Sequence, residues 1–121
     1  MVEALSVPHT HDPRFETFAW RISSGGRSLV YASDVSEPTA ELRRFSSGAA
    51  LLILDGAMWE QRLFTHLTID KALPEACRWS VASIVLTQIG RTAPDHDQLA
   101  RRVAALCPRA SPAYDGLELP V

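Results

Sequence analysis

The sequence carries little excess charge of either sign. Twelve basic residues stand against fourteen acidic ones, a formal net charge of -2. A domain that held nucleic acid by bulk electrostatics would carry a basic excess, so nucleic-acid binding of that kind is not indicated. Low hydrophobicity with high net charge, the signature of disorder, is missing too. Long apolar runs are absent: none approaches the ~20 residues of a membrane-spanning helix. The opening MVEALSVPHTHDP has no basic region followed by a long apolar stretch, so it is not expected to be a signal peptide. Cysteine is scarce. Cys77 and Cys107 sit among apolar residues in segments that read as helices, the ordinary setting of reduced, partly buried thiols. Two cysteines do not suggest a disulfide scaffold, and the expected compartment is the cytoplasm.

What is present is enough apolar material for a core. Hydrophobic residues make up 46% of 121, the size of one domain. Val2 to Val7 alternates and reads as a strand ending at Pro8 and His9. Phe15 to Ile22 reads as a second strand, and Ser28 to Ser33 as the returning one. Between them Ser23-Ser24-Gly25-Gly26 has the glycines a tight hairpin needs. Pro38 suits the first turn of a helix through Phe45. The continuous apolar run Ala49 to Leu54 suggests a strand covered on both faces. A loop carries Met58, Trp59, Leu63 and Phe64. Thr68 can cap a helix to about Trp79, although Pro74 inside it removes a backbone hydrogen bond. Val81 to Thr87 is another buried strand. Asp95 to Leu106 is a helix with Leu99, Val103 and Leu106 on one face, and Ala113 to Val121 reads as a last strand. No repeat and no low-complexity linker divides the chain. Strands first, then helices alternating with strands, indicate a layered α/β domain with a parallel or mixed sheet.

Polar residues recur just past the strand ends: His9 and His11, Asp34, Asp55, His66 in the loop before a helix, and Thr87-Gln88. Ligands in open α/β sheets bind at the carboxyl ends of strands. Histidine and aspartate gathered there are what a zinc or mixed-metal site would use. Each residue alone also has a plainer reading. An aspartate after a strand is most often a turn or cap residue. His9 and His11 suit a loop, His66 a helix start and His96 a solvated first turn. Tyr31 and the three tryptophans suit the core. Order and spacing have to decide.

That order resembles the C-terminal half of metallo-β-lactamase-fold hydrolases, in particular the branch of ribonuclease Z and related phosphodiesterases. The segments that carry it are FAWRI, GGRSLVYASD, GAALLILDGAMW, HLTIDKALPEA, VASIVLTQIG and AYDGLEL, in that family's order and over nearly the whole chain. The resemblance implies half of an αββα sandwich, a mixed sheet with helices on one face, and a single partial domain over residues 1–121. It implies that Asp34 bridges two metal ions, zinc in intact relatives, and that His9, or alternatively His11, is a metal ligand. His66 in His66-Leu67-Thr68 would lie near the scissile phosphate as a catalytic group, paired with Asp55. With bound metal to activate water, the implied reaction is hydrolysis of a phosphoester or related bond.

Two departures bear on activity. The family's main metal motif, HxHxDH, belongs to the N-terminal half and is absent. The family's last metal-binding histidine falls in an LTH strand end, and here the chain reads Leu86-Thr87-Gln88. A neutral amide oxygen is a poor zinc ligand where imidazole is preferred. The tail AYDGLEL runs to the end as in complete members, which places the missing part at the front. Weak or absent zinc binding is therefore expected of the chain alone. Two functions follow: a metal-dependent hydrolase completed by a partner chain that supplies the N-terminal half, or a non-catalytic binding remnant. Either way the sheet would lack its apolar cover, so self-association or a partner is expected.

Overall fold

A computed structural model describes residues 1–60 and 65–121. Its centre is one six-stranded sheet whose strands lie side by side in chain order. The first three are β1 (Val2–Val7), β2 (Thr17–Ser24) and β3 (Arg27–Ala32), and they pair antiparallel. The β2–β3 hairpin turns on Gly25 and Gly26 at φ 57° and 77°, which glycine adopts without a Cβ penalty, and Ser24 pairs with Arg27 across it. Then β4 (Leu51–Asp55), β5 (Ser83–Thr87) and β6 (Ala110–Pro112) follow β3 in parallel. Three helices make the crossovers: α1 (Ala40–Ser46), α2 (Ile69–Ala76) and α3 (His96–Leu106).

This topology explains why the helices lie on one side. Parallel crossovers are right-handed. When the strand order advances steadily in one direction, each right-handed crossover lays its helix on the same face. Val30, Ala32, Leu52, Leu54, Ile84 and Leu86 point to that face and are fully or almost fully buried. The alternate positions point the other way. There Phe18, Trp20, Ile22 and Tyr31 stand in register, Trp20 opposite Tyr31, with Trp20 43% and Tyr31 40% exposed. The core-directed residues also set the helices: α3 buries Leu99 and Val103, and α2 buries Ile69, Ala72, Leu73 and Ala76. Thr39 caps α1 by accepting from the Leu42 amide, and Asp95 caps α3 by accepting from the Gln98 amide. Among the described residues no helix is long and apolar enough to cross a membrane.

Several sequence expectations are corrected. The last strand is Ala110–Pro112, not Ala113 to Val121. Pairing starts as soon as α3 ends, with Ile84 donating to the Arg109 carbonyl, and the tail then turns at Gly116, φ 86°. The second helix stops at Ala76, three residues short of Trp79, and Pro74 lies in its second turn; Thr68 is at its N-cap without a side-chain bond. Trp59 and Trp79 are core as expected, but Trp20 and Tyr31 are not: they line the uncovered face. The cysteines are not free thiols. Cys77 and Cys107 form a disulfide with Cα atoms 5.7 Å apart, joining the ends of α2 and α3. The two lie 30 residues apart in the chain, and only the packing of both helices on one face brings them together. Cysteine usage therefore no longer argues for a reducing compartment. Leu63 and Phe64 lie outside the described residues.

Candidate metal centre

β1 runs antiparallel to β2, and β2 antiparallel to β3, so β1, β3, β4 and β5 all point the same way. Their carboxyl ends deliver His9, Asp34, Asp55 and Gln88 to one edge of the sheet, and the β4–α2 loop adds His66. His9, Asp34 and His66 each offer one ligand atom, and these atoms all lie within 4.8 Å of one another. His11 is exposed and outside this group.

The hydrogen bonds around the cluster fix its chemistry. His9 Nδ1 lies 2.6 Å from the Thr65 carbonyl, which can only accept, so Nδ1 is the donor, and in the neutral ring Nε2 is the nitrogen with the lone pair. His66 Nδ1 lies 2.7 Å from Asp55 Oδ2 and is oriented in the same way. An imidazole whose far nitrogen is held by a carbonyl or carboxylate is in the state a metal ligand needs. The two rings meet edge to face, centroids 5.1 Å apart.

Asp55 is the buried organiser. Its Oδ1 accepts from the Ala57 amide at 3.0 Å, and its Oδ2 accepts from the Val35 amide at 3.1 Å as well as from His66. One carboxylate thus ties the loop that carries Asp34 to the loop that carries His66. Burial pushes the Asp55 carboxyl above its ordinary value, against the opposing pull of the Ala57, His66 and Val35 bonds. Asp34 is half-buried. Burial pushes it up, but the Ser33 hydroxyl, the Gln88 amide and the charge that His9 and His66 carry when protonated outweigh this. Its carboxyl sits below the ordinary value. The Ser33 hydroxyl donates to Oδ2 at 2.7 Å and Gln88 Nε2 donates to Oδ1 at 3.2 Å.

Two imidazoles and a carboxylate are a donor set that suits zinc, and three protein donors are the number found in catalytic zinc sites. The residues therefore fit a divalent ion, with His9, Asp34 and His66 to hold it. Ser33 and the Thr65 carbonyl were not singled out from the sequence. Gln88 was, as a missing ligand, but its bond to Asp34 was not foreseen. Close backbone contact beneath the site uses glycine: a Cβ on Gly56 would meet the Thr87 carbonyl at 2.7 Å, and one on Gly90 would collide with the Ala57 carbonyl.

A strand-end histidine and aspartate cluster on a mixed sheet with one helical layer is the class of fold seen in metallo-β-lactamase proteins. The solved structures agree. The chain superposes on Zn(2+)-bound PqqB from Methylobacterium extorquens with a TM-score of 0.82 at 20% identity, covering 99% of this chain and 50% of that one. The metallo-beta-lactamase fold protein YhfI from Bacillus subtilis gives 0.77 at 23% identity, over 96% and 48%. A diphosphatase from the PhnP family gives 0.76 at 25% identity, over 99% and 44%. The model of the beta-lactamase superfamily domain matches residues 1–89, and the chain belongs to that family. No protein of curated function matches it. The chain spans about half the length of the structures it resembles.

Proposed function

We infer that this chain is the half of a divalent-metal-dependent hydrolase that carries His9, Asp34 and His66, and that the completed enzyme cleaves a phosphoester. The observation that carries the reading is the pair of histidines, both with Nδ1 held by a hydrogen bond, whose ligand atoms lie within 4.8 Å of one from Asp34. A zinc ion there would supply Lewis-acid polarisation of the bond to be cleaved. Asp34 supplies the negative charge, and its lowered carboxyl keeps it ionised. Asp55 holds His66 in one tautomer and orientation. The resemblance makes His66 a catalytic group near the scissile phosphate, which would donate a proton or steady the phosphate, whereas its closeness to His9 and Asp34 favours a ligand role. The phosphoester preference is supported by the diphosphatase among the similar structures and by the ribonuclease Z-like segment order.

The partner in this reading is a polypeptide that supplies the other half of the site. Its sheet has an apolar face that packs on Phe18, Trp20, Ile22 and Tyr31. Support comes from the coverage of only half of each similar structure. A second reading, a non-catalytic binding remnant, is favoured by Gln88, which stands where the resemblance implies a ligand histidine. Zinc loading followed by dialysis and metal analysis tests the site. Retained zinc that is lost in His9→Ala and Asp34→Ala supports the enzyme reading, and zinc content unchanged by both substitutions overturns it. Reconstitution with the partner half should then give metal-dependent hydrolysis of a phosphodiester, abolished by Asp34→Ala.

A further inference from the structure

The edge of the sheet opposite His9, Asp34 and His66 has its own chemistry. There β3, β4, β5 and β6 begin. Two adjoining cavities open beside these strand starts, of about 450 and 280 Å³, and Ser80 lines both. The smaller is lined by Arg43, Arg44, Arg78, Ser47 and Ser80 alone: three guanidiniums and two hydroxyls. The larger adds Arg27 and Arg109. Among the described residues no carboxylate lines either cavity, in a chain whose net charge is -2.

Basic residues at a helix end commonly answer the helix dipole, and Arg43 and Arg44 lie in the last turn of α1. Here that task is already taken. Arg21 donates to the Phe45 and Ser47 carbonyls at the end of α1, and Arg109 donates to the Cys77 and Trp79 carbonyls at the end of α2. These bonds, with the Cys77–Cys107 disulfide, fix the two segments that present Arg43, Arg44 and Arg78. Arg43 makes no ion pair among the described residues. Arg44 reaches Glu41 at 3.2 Å and Arg78 reaches Glu75 at 3.8 Å, both exposed pairs three residues apart. Exposed pairs of that kind contribute little, so an incoming anion can displace them.

We propose that the cavity between Arg43, Arg44 and Arg78 binds a soluble anion carrying two phosphate groups. A carboxylate is satisfied by one guanidinium fork, whereas three guanidiniums around one cavity, two of them held only by exposed, displaceable carboxylates, suit a multiply charged oxyanion. Serine hydroxyls from Ser47 and Ser80 add donors for its remaining oxygens. The site is independent of any metal at the far edge.

Inorganic pyrophosphate is the probe, titrated into the metal-free full chain by calorimetry at two salt concentrations. One saturable site is expected, weaker at higher salt. Arg43→Gln and Arg78→Gln, both at exposed positions, should each weaken it about tenfold or more, the loss of one charge-assisted contact. His9→Ala should leave it unchanged. Three results overturn the proposal: no saturable binding, binding that ignores both arginine substitutions, or binding lost with His9→Ala. Binding to phosphatidylglycerol vesicles without binding of pyrophosphate would also overturn it, by making the ligand a membrane surface.

Discussion

Gln88 decides how the candidate centre differs from a full set of ligands. It is the one non-glycine residue with positive φ among those described, at 56°, a conformation that side chains with a Cβ adopt at a cost. The backbone there aims the side chain at Asp34, and the amide holds one of its oxygens with an N–H. An imidazole in that place would offer a lone pair instead. Gln88→His should therefore raise zinc affinity by about tenfold or more, as large as the effects of outer partners on bound metals. A competition titration against a coloured chelator measures it. His66→Ala separates its two roles: a ligand substitution empties the site, while a proton-transfer substitution keeps the zinc and slows turnover ~10²–10⁴-fold. Given its closeness to His9 and Asp34, metal analysis should show the zinc lost. His9, Asp34 and Asp55 were legible in the sequence because each lies at the end of an apolar strand, where a polar residue is conspicuous; His66 lies in the loop before α2 and was legible only through the resemblance. Ser33 and the Thr65 carbonyl were not, since a hydroxyl at a strand end and a backbone oxygen leave no pattern.

The elements were legible in proportion to their local signals. Alternation placed β1 at Val2–Val7, and the paired glycines placed the β2–β3 turn. The signal misled where a long-range contact decides. The tail alternates like a strand, yet Ala110–Pro112 takes the edge beside β5 first. The disulfide is of the same kind: two apolar-flanked cysteines say nothing of pairing until α2 and α3 are packed together. By loop closure, a bridge over 30 residues contributes about 3–4 kcal/mol. The double substitution Cys77→Ser with Cys107→Ser should lower unfolding stability by that amount, read as a shift of the urea midpoint. Reductant should do the same to the natural chain and nothing to the variant. Gly90→Ala should also destabilise, because its Cβ collides with the backbone of the β4–α2 loop and neither partner is a flexible side-chain end. A midpoint equal to that of the natural chain would refute the steric reading.

At the scale of the whole molecule, two consequences follow from having one helical layer and one set of strand ends. The first is stoichiometric. His9, Asp34 and His66 can hold one ion, so calorimetric titration of the isolated chain should show no more than one zinc equivalent. Two tight equivalents would mean that ligands outside this cluster take part. The second concerns the uncovered face. Steadily advancing right-handed crossovers place the three described helices on one side, so Phe18, Trp20, Ile22 and Tyr31 have no layer of the described residues over them. Contiguous apolar surface beyond a few hundred Å² is uncommon on a monomer. The isolated chain should therefore sediment as more than a monomer at high concentration and bind a hydrophobic dye. Trp20→Lys with Ile22→Lys places two charges on adjacent positions of that face without touching the helix-covered core. Both side chains are already exposed, so the sheet should keep its circular dichroism spectrum. Self-association and dye binding should both fall, and the variant should fail to combine with a partner half. A monodisperse natural chain that binds no dye would show instead that the face is stable in water. The half-length of the chain would then need no second layer to complete it.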